Sequence, residues 1–126
     1  MKVQGERTTE VGRRAENIAS EYLISLGYKL LSRNWRYRHK ELDLIFETAN
    51  SVRVVEVRSL TAPCLVEPSE TVNKKKKKQI VAAAAAYVSK EKIKKEILFD
   101  IVSIIFTDHE TYSLDYLPNA FIPYFK

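Results

Sequence analysis

The sequence predicts an α/β domain in which two helices pack on a β-sheet. Two segments carry apolar residues at helical spacing, and five others are rich in β-branched and aromatic residues. Their predicted order along the chain is α-β-β-β-α-β-β. The length of 126 residues, of which 45% are hydrophobic and 29% charged, fits one globular domain and leaves no room for a second.

The first helix is predicted from apolar residues that fall within about 140° of arc at 100° per residue. They are Val11, Ala15, Ile18, Ala19, Tyr22, Leu23 and Leu26. Thr8 or Thr9 is expected to cap its start. Gly27 is placed to take the left-handed position after the last turn, with Tyr28 folding back on it.

Three strands and a loop are predicted next. Residues 28–31 form a short strand, and the basic and aromatic residues 33–40 continue it or form a loop. Residues 41–48 and 51–59 are strands that meet at a turn containing Ala49 and Asn50. Residues 60–72 contain prolines and predict a surface loop.

The second half of the chain predicts one helix and two strands. Asn73 is expected to cap a helix that runs to about Ser89, with a core side made of Ile80, Val81, Ala84, Tyr87 and Val88. Residues 97–106 are apolar on both sides except at Asp100 and Ser103, which indicates a central strand. We interpret Asp100 as a structural acid. Residues 108–110 turn the chain into a last strand at 111–117.

Composition excludes several classes of protein. The single Cys64 allows no internal disulfide, and no Cys/His cluster offers a zinc site. His39 and His109 lack the spacing of metal ligands. Seven of the first twenty residues are charged and the longest apolar run spans only residues 80–88, so neither a signal peptide nor a membrane span is predicted. The expected setting is a reducing cytoplasm.

Positive charge is concentrated in one segment. Residues 73–95 hold nine Lys and one Glu, a sum of +8, so the rest of the chain sums to −3 against a net charge of +5. A smaller cluster at residues 33–40 interleaves basic and aromatic residues. Both predict a polyanionic partner, with nucleic acid the first to test. The expected contacts are Lys74, Lys75, Lys76, Lys77, Lys78, Arg36 and Arg38.

Each basic segment also has a structural interpretation. The lysines can be a solvated first helical turn, with the stem of Lys76 turned inward beneath Ile80. Trp35 and Tyr37 can stack on bases, or they can pack in the core.

Strand alternation gathers charged residues on one face of the central hairpin. If Ala49 and Asn50 form a two-residue loop, antiparallel partners have numbers that sum to 99. Asp43 then lies opposite Glu56 and Glu41 opposite Arg58. The reverse, apolar face holds the pairs Leu42/Val57 and Leu44/Val55.

Opposed carboxylates repel unless a cation lies between them. Asp43 and Glu56 are therefore expected to share a hard divalent ion, Mg²⁺ or Mn²⁺. Glu16 lies at the margin of the first helix's apolar arc and can face the pair. The alternative is a solvated hairpin face on which Arg58 neutralises Glu41.

Motifs along nearly the whole chain resemble those of the YraN-like family of small bacterial proteins. They are Gly12-Arg-Arg-Ala-Glu16, Ala19…Tyr22-Leu23…Gly27-Tyr28…Leu31…Arg33-Asn34, Glu41-Leu-Asp43-Leu-Ile45, Val55-Glu56-Val57-Arg58, Val72…Lys76…Ile80, Phe99-Asp100-Ile-Val102 and Asn119-Ala-Phe121. That family resembles restriction-endonuclease-like nucleases of the PD-(D/E)xK type, and among them archaeal Holliday-junction resolvases. The resemblance implies a mixed central sheet flanked by helices.

The resemblance also implies roles for residues. The superfamily's metal-binding acid falls on Asp43, and the acid of its (D/E)xK element falls on Glu56. Glu16 matches an additional acid on the first helix, and Glu41 matches the acid of a Glu-x-Asp motif. Leu42 stands in place of the superfamily's Pro, and Arg58 in place of its Lys. Arg stays protonated, so Arg58 cannot accept a proton from water but can hold a phosphate.

The sequence and the family resemblance thus predict metal-dependent hydrolysis of phosphodiester bonds in DNA, with branched and single-stranded DNA as candidate substrates. The expected catalytic residues are Asp43, Glu56, Arg58 and Glu41, and the expected metal ligands are Asp43, Glu56 and Glu16. One alternative is a non-catalytic nucleic-acid-binding protein with a degenerate metal site. Another is a protein-interaction module whose lysines only solubilise it. No membrane partner is expected, and a homodimer stays open.

Overall fold

A computed structural model of the chain describes residues 2–62, 73–108 and 110–123, with side chains from Glu10 onward. Its elements follow the predicted order: α1 (Lys2–Ser25), β1 (Lys29–Tyr37), β2 (Lys40–Glu47), β3 (Ser51–Thr61), α2 (Lys74–Glu91), β4 (Glu96–Phe106) and β5 (Tyr112–Leu117). Cys64, His109 and most of the predicted 60–72 loop lie outside the described residues; Leu60 and Thr61 belong to β3. Neither helix of the described part is long and apolar enough to cross a lipid bilayer.

The five strands form one mixed sheet in the order β1-β2-β3-β4-β5. β3 and β4 run parallel, with α2 in the crossover between them, and the other neighbours are antiparallel. α1 packs on one face and α2 on the other, each over its own cluster of buried apolar side chains. The α/β class with a mixed, helix-flanked sheet is therefore confirmed, and β4 is a central strand as predicted.

α1 buries a narrower stripe than predicted. Ala15, Ala19 and Leu23 are buried against the sheet. Tyr22 and Leu26 are 37% and 48% exposed, because two alanines let the helix approach the sheet along a thin line and leave its flanks in solvent. The Gly27 prediction is confirmed by a φ of +94° and by an N–H donated to the Ile24 carbonyl at 2.9 Å.

The predicted start of this helix is wrong. α1 begins at Lys2, so Thr8 and Thr9 lie within it and do not cap it. The residues before them, 2–7, contain no proline and several good helix formers, so the helix continues through the threonines.

β1 runs through the basic and aromatic stretch and turns at Arg38 and His39. Arg38 takes the left-handed conformation that such a two-residue turn requires, with a φ of 59°. The Trp35 ring lies 5.2 Å from the Tyr87 ring of α2 in an edge-on contact, and both Trp35 and Tyr37 pack against the α2-side cluster. The core-packing interpretation of these two aromatics is thus confirmed.

The β2–β3 hairpin has the predicted register. The Thr48 N–H donates to the Ser51 carbonyl at 2.8 Å, and the paired residues run from Glu47 and Val52 to Leu44 and Val55, with numbers that sum to 99. The ladder ends there.

The predicted face of Leu42 is wrong. Leu42 packs in the α2-side cluster and not beside Leu44, because β2 has left β3 at this point and its side chains stop alternating regularly.

α2 begins as predicted. The Asn73 side chain accepts the Lys76 N–H at 2.9 Å, which caps the helix. Its buried residues are Ile80, Ala83, Ala84 and Tyr87.

Asp100, in the middle of β4, is fully buried and has a structural role as predicted. It accepts hydrogen bonds from Arg53 at 3.0 and 3.1 Å, from the Tyr116 hydroxyl at 2.7 Å and from the Asn119 N–H at 2.8 Å.

Candidate functional site

The site lies where β2 separates from β3. Asp43 is the first residue of β2 beyond the last ladder pair, and Glu56 is its counterpart on β3, with a side chain only 3% exposed. The Asp43 Oδ2 accepts the Val57 N–H at 2.9 Å, so a side chain replaces the strand partner that this N–H has lost. The structure therefore brings together the two carboxylates that the register predicted.

Burial and the neighbouring Glu56 perturb the pKa of Asp43. Burial raises the pKa of Asp43 to about 8, and the negative charge of Glu56 and a side-chain hydrogen bond with it add to the effect. The Val57 N–H and the ammonium of Lys76 act in the opposite direction. The pair therefore retains a proton at neutral pH, and a cation between the two carboxyl groups would displace it.

Two side-chain cations flank Glu56. The Arg58 Nη1 lies 3.5 Å from the Glu56 Oε2, and the Lys76 Nζ lies 3.8 Å from the same oxygen. Arg58 comes from β3 itself, whereas Lys76 comes from the first turn of α2, whose start is fixed by the Asn73 cap.

The predicted cross-strand pair of Arg58 with Glu41 is replaced by other contacts. Arg58 contacts Glu56, and the Arg36 Nη2 lies 3.4 Å from the Glu41 Oε1. The physical reason is the end of the ladder at Leu44 and Val55, which leaves Glu41 to pair along β1.

Asn34 joins two further acids at the other side of the site. Its Nδ2 lies 3.2 Å from both carboxylate oxygens of Glu16 and 2.9 Å from the Oε2 of Glu41. A φ of 49° gives Asn34 the left-handed backbone that Asn tolerates better than most residues. One amide thus ties α1 to β2 across β1.

Glu16 occupies the margin of α1, as predicted. Burial raises its pKa, the Asn34 hydrogen bond and Arg33 oppose this, and the charges of Asp43 and Glu41 add to it. Its carboxylate therefore lies close enough to the predicted metal-binding acid to interact with it.

An open polar cleft of about 520 Å³ lies beside these acids, between α1 and the β1–β2 hairpin. It is lined by Gly12, Arg13, Glu16, Asn17, Arg33, Asn34 and Glu41. The Arg33 Nη2 donates to the Asn17 Oδ1 at 2.8 Å, which fixes one guanidinium at the cleft wall.

Two carboxylates, those of Asp43 and Glu56, are the donors that the site offers to a magnesium-type ion. Within residues 10–62, 73–108 and 110–123, no group of three or more His, Cys, Asp or Glu side chains is placed to hold a metal ion. Mg²⁺ is commonly held in proteins by one or two carboxylates, with water and substrate phosphate completing the octahedron. Asp43 and Glu56, which are hard oxygen donors that repel each other when charged, fit that pattern.

The residues predicted to bind nucleic acid divide into two groups. Lys74, Lys75, Lys78, Arg36 and Arg38 are exposed. Lys76 is directed at Glu56, and the Lys77 Nζ lies over the Phe121 ring at 5.3 Å from its centroid. The exposed group lies on the first turn of α2, on β1 and on the β1–β2 turn.

Two contributors were missed by the sequence reasoning. Asn34 was quoted only as part of a motif, although an Asn inside a strand is itself a signal for a left-handed residue. The sequence indicates that the stem of Lys76 turns inward beneath Ile80, but it gives no signal for the contact of the Lys76 ammonium with Glu56.

Comparison with known proteins matches the chain to a family whose description states no activity. The family described as "Uncharacterised protein family UPF0102" matches residues 15–104, which include Glu16, Asp43, Glu56 and Lys76. Three similar proteins are each named "UPF0102 protein". That of Parabacteroides distasonis is 39% identical over 116 residues, covering 91% of this chain and 94% of the relative.

The other two are similar over comparable lengths. The Bacteroides thetaiotaomicron protein is 35% identical over 114 residues, which cover 90% of this chain and 93% of the relative. The Persephonella marina protein is 39% identical over 110 residues, which cover 83% of this chain and 95% of the relative.

Proposed function

The chain belongs to the UPF0102 family, the YraN-like family indicated by its motifs, and from the geometry of its site we propose that it is a metal-dependent nuclease acting on DNA. The observation that carries the proposal is the pairing of Asp43 with Glu56. Burial of two facing carboxyl groups destabilises the fold when both are charged, and strongly perturbed groups of this kind cluster at functional sites.

The assignment to the restriction-endonuclease-like superfamily is part of this proposal. Three antiparallel strands followed by a helix and a parallel strand support it, with one acid on each of the two strands that separate. The mixed sheet alone suits many activities, so the acids carry the functional argument.

In the proposed mechanism, Asp43 and Glu56 would hold Mg²⁺ or Mn²⁺. When bound, the ion would supply Lewis-acid stabilisation of the scissile phosphate and would lower the pKa of an attacking water. The Val57 N–H fixes the orientation of Asp43. Glu16 and Glu41, held by Asn34, are placed to orient water at the edge of the site.

Arg58 has an electrostatic role in this mechanism. Its guanidinium stays protonated at every working pH, so it does not remove the proton of the attacking water. Its position beside Glu56 suits it to hold the scissile phosphate and to stabilise the negative charge that develops there.

DNA is proposed as the substrate because the exposed cations lie on elements that carry the acids or contact them. Lys74, Lys75 and Lys78 are on the same first turn of α2 as Lys76, which reaches Glu56. Arg36 and Arg38 are on the β1–β2 hairpin that carries Asp43. A phosphate backbone that contacts these cations would lie across the acidic site.

The second candidate is a non-catalytic nucleic-acid-binding protein with a degenerate metal site. Arg58, in the place of a lysine that could accept a proton, favours it. The two candidates differ in one measurement, which is metal-dependent cleavage.

The test compares the wild type with Asp43→Asn, with Asp115→Asn as a matched control at an exposed acid of β5. Supercoiled and branched DNA are incubated with Mg²⁺ or Mn²⁺, and Mn²⁺ binding is measured by calorimetry. We expect Asp43→Asn to lose Mn²⁺ binding and to nick DNA at least about a hundredfold more slowly, since Lewis-acid stabilisation is worth several kcal/mol. Equal nicking by all three proteins would exclude the nuclease. DNA binding without cleavage would support the second candidate.

A further inference from the structure

Lys76 differs from the other lysines of the basic run on α2. Its side chain is 40% exposed, and its Nζ lies 3.8 Å from the Oε2 of Glu56, which is itself 3% exposed. Lys74, Lys75 and Lys78 are exposed, and Lys77 lies over the Phe121 ring. The Asn73 cap fixes the first turn of α2 by accepting the Lys76 N–H. The direction of Lys76 is therefore determined by the start of its helix.

The contact of Lys76 uses an oxygen that a bound metal would need. The Oε2 of Glu56 has Lys76 on one side and the Arg58 Nη1 at 3.5 Å on the other. A divalent cation between Asp43 and Glu56 would compete for this oxygen and repel a neighbouring ammonium. The flexible four-carbon stem of Lys76 allows its Nζ to move several ångströms while the backbone stays in place.

Lys76 is more suited to this movement than Arg58. Arg58 lies two residues from Glu56 on the same strand, so the pleat of β3 fixes their separation. Lys76 reaches across from another element and has one long contact with Glu56 at its tip.

We propose that Lys76 exchanges partners, from Glu56 in the metal-free protein to a backbone phosphate of the DNA when Asp43 and Glu56 take up a divalent cation. This inference rests on the proposed nuclease function and deepens it, because it makes the affinity for DNA depend on metal. In the metal-free protein the Lys76 charge is engaged with Glu56. In the metal-loaded protein it is available for phosphate.

The first experiment measures Mn²⁺ binding by calorimetry at one pH. The variants are Lys76→Gln and the matched control Lys75→Gln, which removes an exposed charge from the same turn. We expect Lys76→Gln to bind Mn²⁺ about five- to tenfold more tightly, because a competing positive charge is removed. Lys75→Gln should bind Mn²⁺ as the wild type does.

The second experiment measures the affinity for a short DNA duplex and a branched DNA, with Ca²⁺ and without it. Ca²⁺ takes the same hard oxygen ligands as the smaller ions. We expect the wild type to gain affinity when the cation is added, and Lys76→Gln to lose most of that gain. Lys75→Gln should weaken DNA binding by the same factor in both conditions, as a plain surface charge does.

The outcomes separate the two proposals. If the wild type binds Mn²⁺ but Lys76→Gln behaves as Lys75→Gln in both experiments, partner exchange is wrong and the nuclease proposal stands. If the wild type binds no Mn²⁺, the nuclease proposal fails and the inference fails with it. A melting temperature for Lys76→Gln close to that of Lys75→Gln verifies that the comparison is between folded proteins.

Discussion

Asp43 lies one residue beyond the last β2–β3 pair, Leu44 and Val55, and its side chain accepts a hydrogen bond from the backbone N–H of Val57 at 2.9 Å. A regular hairpin would satisfy this N–H with a backbone carbonyl. The carboxylate satisfies it here, so the strands separate without leaving a buried donor unpaired. The same contact fixes one of the two facing acids. The local irregularity in the sheet and the proposed site therefore have one structural cause.

The first prediction concerns stability and pH. The pKa of Asp43 is raised from 3.8 to about 8 in the folded protein, so between these values the native state binds a proton that the unfolded chain has lost. The free energy of unfolding should therefore fall as pH rises from about 4 to 8, by about 1.4 kcal/mol per pH unit where Asp43 alone differs, and then level off. Asp43→Asn cannot ionise and keeps an oxygen for the Val57 N–H.

Urea unfolding at several pH values checks this prediction. Asp43→Asn should gain stability over the wild type as pH rises, reaching several kcal/mol above pH 8. Asp115→Asn, at an exposed acid, is the control and should follow the wild type. Addition of Mn²⁺ should recover part of the lost stability in the wild type and in Asp115→Asn, but should not stabilise Asp43→Asn. Parallel stability curves for wild type and Asp43→Asn would show that Asp43 ionises normally.

The second prediction concerns Asn34. Asn34→Gly removes the amide that contacts Glu16 and Glu41 but tolerates the φ of 49°, so it tests the contact without adding backbone strain. Because the Asn34 hydrogen bond lowers the pKa of Glu16, that pKa should rise in the variant. The fold should lose about 1 kcal/mol.

Carboxyl titration followed by NMR provides the measurement for Asn34→Gly. Asn50→Gly, in the exposed hairpin turn, is the matched control and should leave Glu16 unchanged. An unaltered Glu16 titration in Asn34→Gly would mean that the amide does not hold this acid in solution.

The third prediction concerns the exposed lysines. Replacement of Lys74, Lys75 and Lys78 with Gln removes three charges that are free to neutralise phosphates. The slope of log affinity against log salt should fall by about 2 to 3 units, at roughly 0.9 per lost contact. The control replaces Lys29, Lys90 and Lys94, which are also exposed, and changes the net charge by the same amount. Equal slopes for the two triple variants would show that the run on α2 is not a specific DNA contact.

The sequence predicted most of the fold because the informative interactions are local. The turn at Ala49 and Asn50 fixes the register of β2 and β3, and this register places Asp43 beside Glu56. The face of Leu42 was not predictable in this way, since the strands separate at that point for a reason that includes the Val57 contact.

The parts of the site that were missed depend on contacts between distant elements. Asn34 acts by joining α1 to β2, and neither helical nor strand periodicity contains that information. Five consecutive lysines on α2 cover about 400° of the helix, so at least one faces the sheet, and the position of Lys76 one turn before Ile80 indicates which one. The group that its ammonium contacts, the carboxylate of Glu56, is visible only in the structure.

The last prediction concerns Arg58, at the position where the family resemblance implies a lysine. If a positive charge beside the scissile phosphate is what the reaction needs, Arg58 supplies it, and Arg58→Lys should retain the metal-dependent nicking of the wild type. If proton acceptance at this position is needed, the wild type should be nearly inactive and Arg58→Lys should gain activity, because burial can lower the pKa of Lys but not usefully that of Arg.

We expect the first result. Arg58 contacts Glu56 directly, and Lys76 provides a second cation at the same oxygen, so charge is supplied from two elements. The assay compares wild type, Arg58→Lys and Asp43→Asn on supercoiled and branched DNA with Mg²⁺ or Mn²⁺. Arg14→Lys, at an exposed arginine of α1 that has no role in the proposed site, is the matched control. A gain of tenfold or more, about 1.4 kcal/mol in the barrier, in Arg58→Lys but not in Arg14→Lys would overturn the electrostatic role of Arg58.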